Sequence, residues 1–189
     1  VSVDSGNVIL VGFMGAGKST VGRVLARRLG RCFVETDDVI TAREGRAISE
    51  IFRRDGEVRF RQLEGEILES LALKSGDVIA TGGGLPCRAG RMARLRELGT
   101  VIWLKGDLGI ALERARRSGA RPMLTGRAPE EIEALYRERE PHYREADLIV
   151  DTSGLTIDQV VARISSLLRR HQGRSPAPDG AATIAPPSA

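Results

Sequence analysis

The chain has 189 residues, enough for one domain with a sizeable buried core. Its 41% apolar and 29% charged content suits a globular protein, and no run approaches the roughly 18 apolar residues that a membrane span requires. The formal net charge of +4 comes mainly from arginine, with lysine only at Lys18, Lys74 and Lys105; aromatics make up 4% and no basic run is interleaved with them, so a nucleic-acid groove is not expected. The arginine excess has two readings. One is a compositional bias of the source; the other is recognition of phosphate and carboxylate, which the planar guanidinium fork suits better than an ammonium point charge. Cys32 and Cys87 form no paired motif, and reduced thiols in a cytoplasmic protein are expected. The opening "VSVDSGNVIL" lacks a basic region ahead of its apolar run, so no secretory leader is expected.

In chain order, "NVILVG" (7–12), "CFVET" (32–36), "DVIATGG" (77–83), "TVIWL" (100–104) and "DLIVDT" (147–152) read as strands. They are short and continuously apolar, as strands buried on both faces of a parallel sheet are. Helical spacing lies between them. Phe60, Leu63, Ile67, Leu68 and Leu71 form one stripe, and "RMARLRELG" stops at Gly99. Ile157, Val160, Val161, Ile164, Leu167 and Leu168 form another stripe. This alternation predicts a three-layer α/β fold. Residues 37–75 hold two or three helical patterns and read as an inserted substrate-binding region. Residues 116–128, "RRSGARPMLTGRA", have no apolar period and read as a mobile loop. Residues 1–172 are taken as one domain, and 173–189, rich in Pro, Ala, Gly and Ser, as a disordered tail.

"GFMGAGKST" (12–20) matches G-x-x-x-x-G-K-[ST] in full, with a predicted strand before it and a predicted helix from Lys18. Backbone N–H groups from Gly15, Ala16, Gly17, Lys18, Ser19 and Thr20 would surround phosphate oxygens at a helix N-terminus. Lys18 would bridge the β- and γ-phosphates, and the Ser19 hydroxyl would ligate Mg²⁺. The loop alone serves kinases, GTPases and ATPases alike. No N-K-x-D guanine motif occurs, and the chain is short for a helicase or transporter ATPase. A small-molecule or nucleotide kinase is the reading.

Further motifs bear on the acceptor. Asp37 follows the second strand, where ligands of open α/β sheets bind, and its neighbour Asp38 reads as a helix cap. Arg61 lies one helical turn from Glu57 and Glu64, and either a surface salt bridge or substrate binding accounts for it. "TGGG" (81–84) is either a loose turn or a place of close backbone approach to a ligand; its position at a strand's C-terminal end favours the second. Cys87 follows it and reads as a bystander. "RPML" (121–124) holds a loop arginine able to neutralise charge on a transferring phosphoryl group. "REREPHY" (137–143) ends a predicted helix before Pro141, with Arg139 able to project into a site.

Taken in order, "GFMGAGKST", "ETD", "GRAISEIFRRDGEVRFRQLE", "TGGG", "RPML" and "REREPHY" resemble shikimate kinase, from about residue 8 to about residue 168. The resemblance implies a P-loop kinase fold: a five-stranded parallel sheet flanked by helices, with a substrate-binding region at about 37–65 and a lid at about 116–128. It implies transfer of the ATP γ-phosphoryl group to the 3-hydroxyl of shikimate by a monomer, with Mg²⁺ as cofactor. Asp37 would meet the shikimate hydroxyls, with Arg61 and Arg139 on the carboxylate and Gly83 and Gly84 offering backbone contacts. Phe52 and Phe60 would form an apolar wall. Arg121 would descend with the lid onto the phosphates, and Arg114 would stack on adenine. Two positions depart from the pattern. Glu35 stands where the family has Asp near Mg²⁺, and Ile157 stands near the place of a Pro beside adenine. Gluconate or a nucleotide is the alternative acceptor, and a non-catalytic nucleotide sensor is a third reading, supported only by the basic charge.

Overall fold

The computed structural model describes residues 6–73, 75–110, 113 and 128–172. The elements are β1 (Asn7–Val11), α1 (Lys18–Leu29), β2 (Phe33–Glu35), α2 (Thr36–Glu44), α3 (Ile48–Leu71), β3 (Val78–Ala80), α4 (Arg91–Leu98), β4 (Gly99–Lys105), α5 (Pro129–Tyr143), β5 (Leu148–Asp151) and α6 (Ile157–Gln172). The five strands pair in parallel in the order β2-β3-β1-β4-β5. All five predicted strands and the three-layer class are therefore present. Arg114, Arg121, the predicted lid up to Arg127 and the predicted tail lie outside the described residues.

Strand β1 lies at the centre because it can be covered on both sides. Ile9 and Val11 pack with Leu63 and Ile67 of α3, Leu95 of α4 and Ile132 of α5. Val8 and Leu10 pack with Leu25 of α1 and with Val160 and Ile164 of α6. Each such aliphatic side chain contributes about 1.5–3 kcal/mol on leaving water. The chain thus leaves β1 toward one face, into α1, and leaves β3 toward the other, into α4. Adjacent strands whose exits diverge open a crevice at their C-terminal ends, where ligands of such sheets bind.

Four details differ from the sequence reading. Helix α3 begins at Ile48, eight residues before the Gly56 stretch where the apolar stripe is clear, and Gly56 interrupts it with φ 78 and ψ 176. Only glycine adopts that backbone readily. Gly99 stops α4 in an extended conformation (φ 161, ψ −171), not a left-handed one. Its requirement is space, since a β-carbon there would run into the Asn7 backbone. Helix α5 continues through Pro141 to Tyr143, whose buried ring holds the last turn against Trp103 at 5.9 Å between centroids. Ile157 is 42% exposed, because it is the first residue of α6 and is not part of the stripe that covers the sheet.

Candidate active site

The phosphate loop bridges β1 and α1. Gly12, Gly15 and Gly17 all have positive φ, at 140°, 78° and 86°. Gly12 also needs its missing side chain: a β-carbon would lie 2.7 Å from the Leu104 carbonyl oxygen. The Ala16 N–H donates to the Phe13 carbonyl at 3.2 Å and closes the turn. Lys18, Ser19 and Thr20 form the first helical turn, whose N–H groups have no partners within the helix. No acidic side chain occupies that turn to compete for an anion. Lys18 is 5% exposed and donates to the carbonyls of Gly12 (2.8 Å) and Phe13 (3.0 Å), so its ammonium is held over the loop. Beside Gly15 and Ala16 lies a cleft of about 150 Å³, walled by Ile110 and by Thr152, Gly154 and Leu155 of the β5–α6 connection. Its size and position suit a nucleobase. Ile157 is not part of its wall.

Strand β2 delivers three polar residues in succession. Glu35 caps α2, Thr36 is buried, and Asp37 stands in the first turn. Thr36 Oγ1 accepts the Gly82 N–H at 2.9 Å, joining β2 to the glycine segment. Asp38 does not cap the helix: it lies inside the first turn, exposed, with a carboxylate oxygen 4.0 Å from Arg23. Glu35 lies near Ser19 and Lys18, and burial pushes its carboxyl above the ordinary glutamate range although both neighbours lower it. A hydroxyl and a carboxylate together beside the phosphate loop suit a magnesium ion, which usually takes one or two protein oxygens and fills its other positions with phosphate and water.

The glycine triplet makes room; it supplies no unusual torsions, for none of Gly82, Gly83 and Gly84 has positive φ. A β-carbon on Gly82 would lie 2.7 Å from Asp37 Oδ1. One on Gly83 would lie 3.4 Å from the Gly12 carbonyl oxygen and 3.6 Å from the Met14 amide nitrogen. One on Gly84 would lie 2.9 Å from Arg61 and 3.4 Å from Arg139. This strip therefore separates the phosphate loop from two converging guanidinium groups and has Asp37 on its flank. A 3₁₀ turn at Leu85–Cys87 follows, so the segment is ordered and not a loose turn.

Arg61 makes the helical salt bridge that its sequence position allows, and it also borders the glycine segment. It donates to Glu57 Oε1 through Nε (3.0 Å) and one terminal nitrogen (2.9 Å), and to Glu64 Oε2 through the other (2.8 Å). Yet its side chain is only 16% exposed, and it lies over the Phe60 ring, 5.3 Å from the centroid. Phe52 packs on Phe60 at 4.7 Å. Glu64 is 3% exposed; burial raises its pKa more than the adjoining Arg61 lowers it. Glu57 shows the opposite shift, lowered first by the Arg61 hydrogen bond. Arg139, 7% exposed, comes from α5.

The structure therefore brings together Lys18, Ser19, Glu35, Asp37, Arg61, Gly83, Gly84 and Arg139. Glu64 and Tyr143 join them without having been assigned a role from sequence. Glu64 carried a signal in its i+3 spacing from Arg61, whereas Tyr143 gave none. Cys87 lies close to the glycine segment, with Sγ donating to the Gly83 carbonyl at 3.7 Å.

A profile of the family described as "Shikimate kinase" matches residues 14–169. The shikimate kinase of Geobacter sulfurreducens is 46% identical over 91% of this chain and 96% of its own length. That of Moorella thermoacetica is 44% identical over 87% and 95%, respectively. The structure of a shikimate kinase from Acinetobacter baumannii in complex with shikimate superposes with a TM-score of 0.84 at 36% identity, covering 88% of this chain and 94% of that one. The chain belongs to the shikimate kinase family.

Proposed function

We infer that this protein transfers the γ-phosphoryl group of ATP to the 3-hydroxyl of shikimate, giving shikimate 3-phosphate and ADP on the route to aromatic amino acids. The observation that carries this reading is the convergence of Arg61 and Arg139 on Gly84, one residue from a glycine that touches the phosphate loop. Two guanidinium groups side by side suit a planar carboxylate, and Asp37 beside Gly82 suits a ring hydroxyl. Shikimate carries both groups, and the Acinetobacter baumannii relative is described in complex with it.

In this reading the loop from Gly15 to Thr20 holds the phosphates, and Lys18 exchanges the Gly12 and Phe13 carbonyls for phosphate oxygens. Ser19 and Glu35 hold Mg²⁺, which supplies charge neutralisation at the phosphates when bound. Asp37 orients the 3-hydroxyl, whose oxygen forms the new bond to the γ-phosphorus as the bond to the β-phosphate oxygen breaks; the hydroxyl proton passes to Asp37. Arg61 and Arg139 fix the carboxylate so that the hydroxyl is in line. Arg114 and Arg121 lie outside the described residues; the resemblance assigns Arg114 to the base and Arg121, with a lid at about 116–128 that excludes water, to the phosphates. One kinase domain spans residues 1–172, with 37–65 as its acceptor region, and acts as a cytoplasmic monomer. Among the described residues no helix is long and apolar enough to cross a membrane.

The test is an acceptor panel of shikimate, gluconate and nucleoside monophosphates, each with saturating Mg-ATP. Turnover should depend on shikimate. Absence of stimulation by shikimate, or a larger response to gluconate, would refute the reading.

A further inference from the structure

Helix α5 meets the glycine segment twice. Arg139 approaches it from one turn, and Tyr143, four residues later on the same face, donates its hydroxyl hydrogen to the Gly83 carbonyl at 2.7 Å. Tyr143 is fully buried, and burial raises its pKa well above the ordinary phenol range, so it remains a donor throughout neutral and mildly alkaline pH. The same carbonyl receives the weaker Cys87 thiol at 3.7 Å. No cis peptide is present among the described residues. In the trans Gly83–Gly84 peptide the N–H points opposite to the C=O. Fixing the carbonyl against α5 therefore turns the Gly84 N–H away from Tyr143. Among the described residues no protein acceptor takes that N–H.

We propose that Tyr143 is a positioning residue for acceptor binding: by holding the Gly83 carbonyl it sets the Gly83–Gly84 peptide plane, and with it the distance from that backbone to the Arg61 and Arg139 guanidinium groups. This rests on the acceptor reading given above. Three glycines in a row have little torsional resistance of their own, so the plane needs an external hold. The phenol provides it from the helix that also carries Arg139. The acceptor's backbone contact and Arg139 are thereby referenced to one helix, with Arg61 facing them from α3.

Tyr143→Phe keeps the ring against Trp103 and removes only the hydroxyl. The KM for shikimate should rise about threefold to tenfold, with kcat and the KM for ATP within about twofold of wild type. Calorimetric titration of the folded protein with shikimate should give the same loss. Cys87→Ala, which removes the weaker donor, should raise the KM for shikimate by less than about twofold alone. In the Tyr143→Phe background it should add more than it does alone, because the carbonyl then has no donor. An unchanged KM for shikimate in Tyr143→Phe, with shikimate-dependent wild-type turnover, would overturn the role of Tyr143 and leave the acceptor reading intact. Equal losses in kcat for all substrates would also overturn it, as the sign of general destabilisation. Wild-type turnover indifferent to shikimate would overturn both. Should Tyr143→Phe not fold, Tyr143→Met, apolar and of similar reach, is titrated in its place: no change in shikimate affinity overturns the proposal.

Discussion

The phosphate loop and the proposed acceptor pocket both present positive charge, but they build it differently. The loop uses main-chain N–H groups and a single buried lysine, and its shape is set by three glycines with positive φ. Lys18 rests on two carbonyls, with Glu35 nearby. The pocket uses side-chain guanidinium groups from two distant helices, and Arg61 is steered by Glu57 and Glu64. Backbone amides carry only partial charge and cost little to bury when they point at a ligand. A buried guanidinium costs several kcal/mol unless paired. Hence the acids of the pocket bond Arg61 directly, whereas the ammonium of the loop rests on carbonyls. A site for a common ligand can be made by one short segment; a site for a particular ligand has to be gathered from the whole chain.

Asp37 lies at the boundary of the two regions and gives the sharpest way to break the contrast. Asp37→Asn should lower kcat about 10²–10⁴-fold while leaving the KM for ATP nearly unchanged, measured by coupled ADP release. Near-normal turnover would remove Asp37 from the reaction. A parallel loss in ATP affinity would mean that the two regions are not separable.

A smaller effect is expected at Glu35, the acid near Ser19 and Lys18. Its folded pKa lies above its unfolded value, chiefly through burial. The folded chain therefore holds more protons than the unfolded one between those two values, and stability falls as pH rises through that window. Above it the charged carboxylate is a net cost to the metal-free protein. Glu35→Gln should then raise the melting temperature of metal-free protein at pH 8 by about 2 °C, with the gain vanishing below the ordinary glutamate range. The same variant should need more Mg²⁺ for half-maximal turnover. A lower melting temperature at pH 8 would contradict the burial account.

What the sequence disclosed divides along the same line. The loop is contiguous, so its eight positions could be read directly, and so could the five strands, whose continuous apolar runs require cover on both faces. In the proposed acceptor pocket, Asp37 and the glycine triplet were legible from their positions at strand ends, and the roles of Arg61 and Arg139 only through resemblance. Helical spacing left Arg61 equally a salt bridge and a ligand contact, and in the structure it is a partly buried salt bridge facing the site. Tyr143 escaped notice because Pro141 reads as a helix end, whereas packing against Trp103 carries the helix past it. Gly99 and the glycine triplet were recognised as special, but their requirement is space and not torsion, which only the neighbouring chain reveals. Ile157 kept the period of its helix but lies at its first residue, where periodicity no longer guarantees cover.

The measurement closest to the central claim compares shikimate with its carboxamide, which keeps the ring and hydroxyls and lacks the anionic charge. With saturating Mg-ATP, the account predicts phosphorylation of shikimate and a kcat/KM for the amide lower by about 10²–10³-fold, as expected when two charge-assisted contacts are lost. Equal turnover of the two, or no phosphorylation of shikimate, would contradict it.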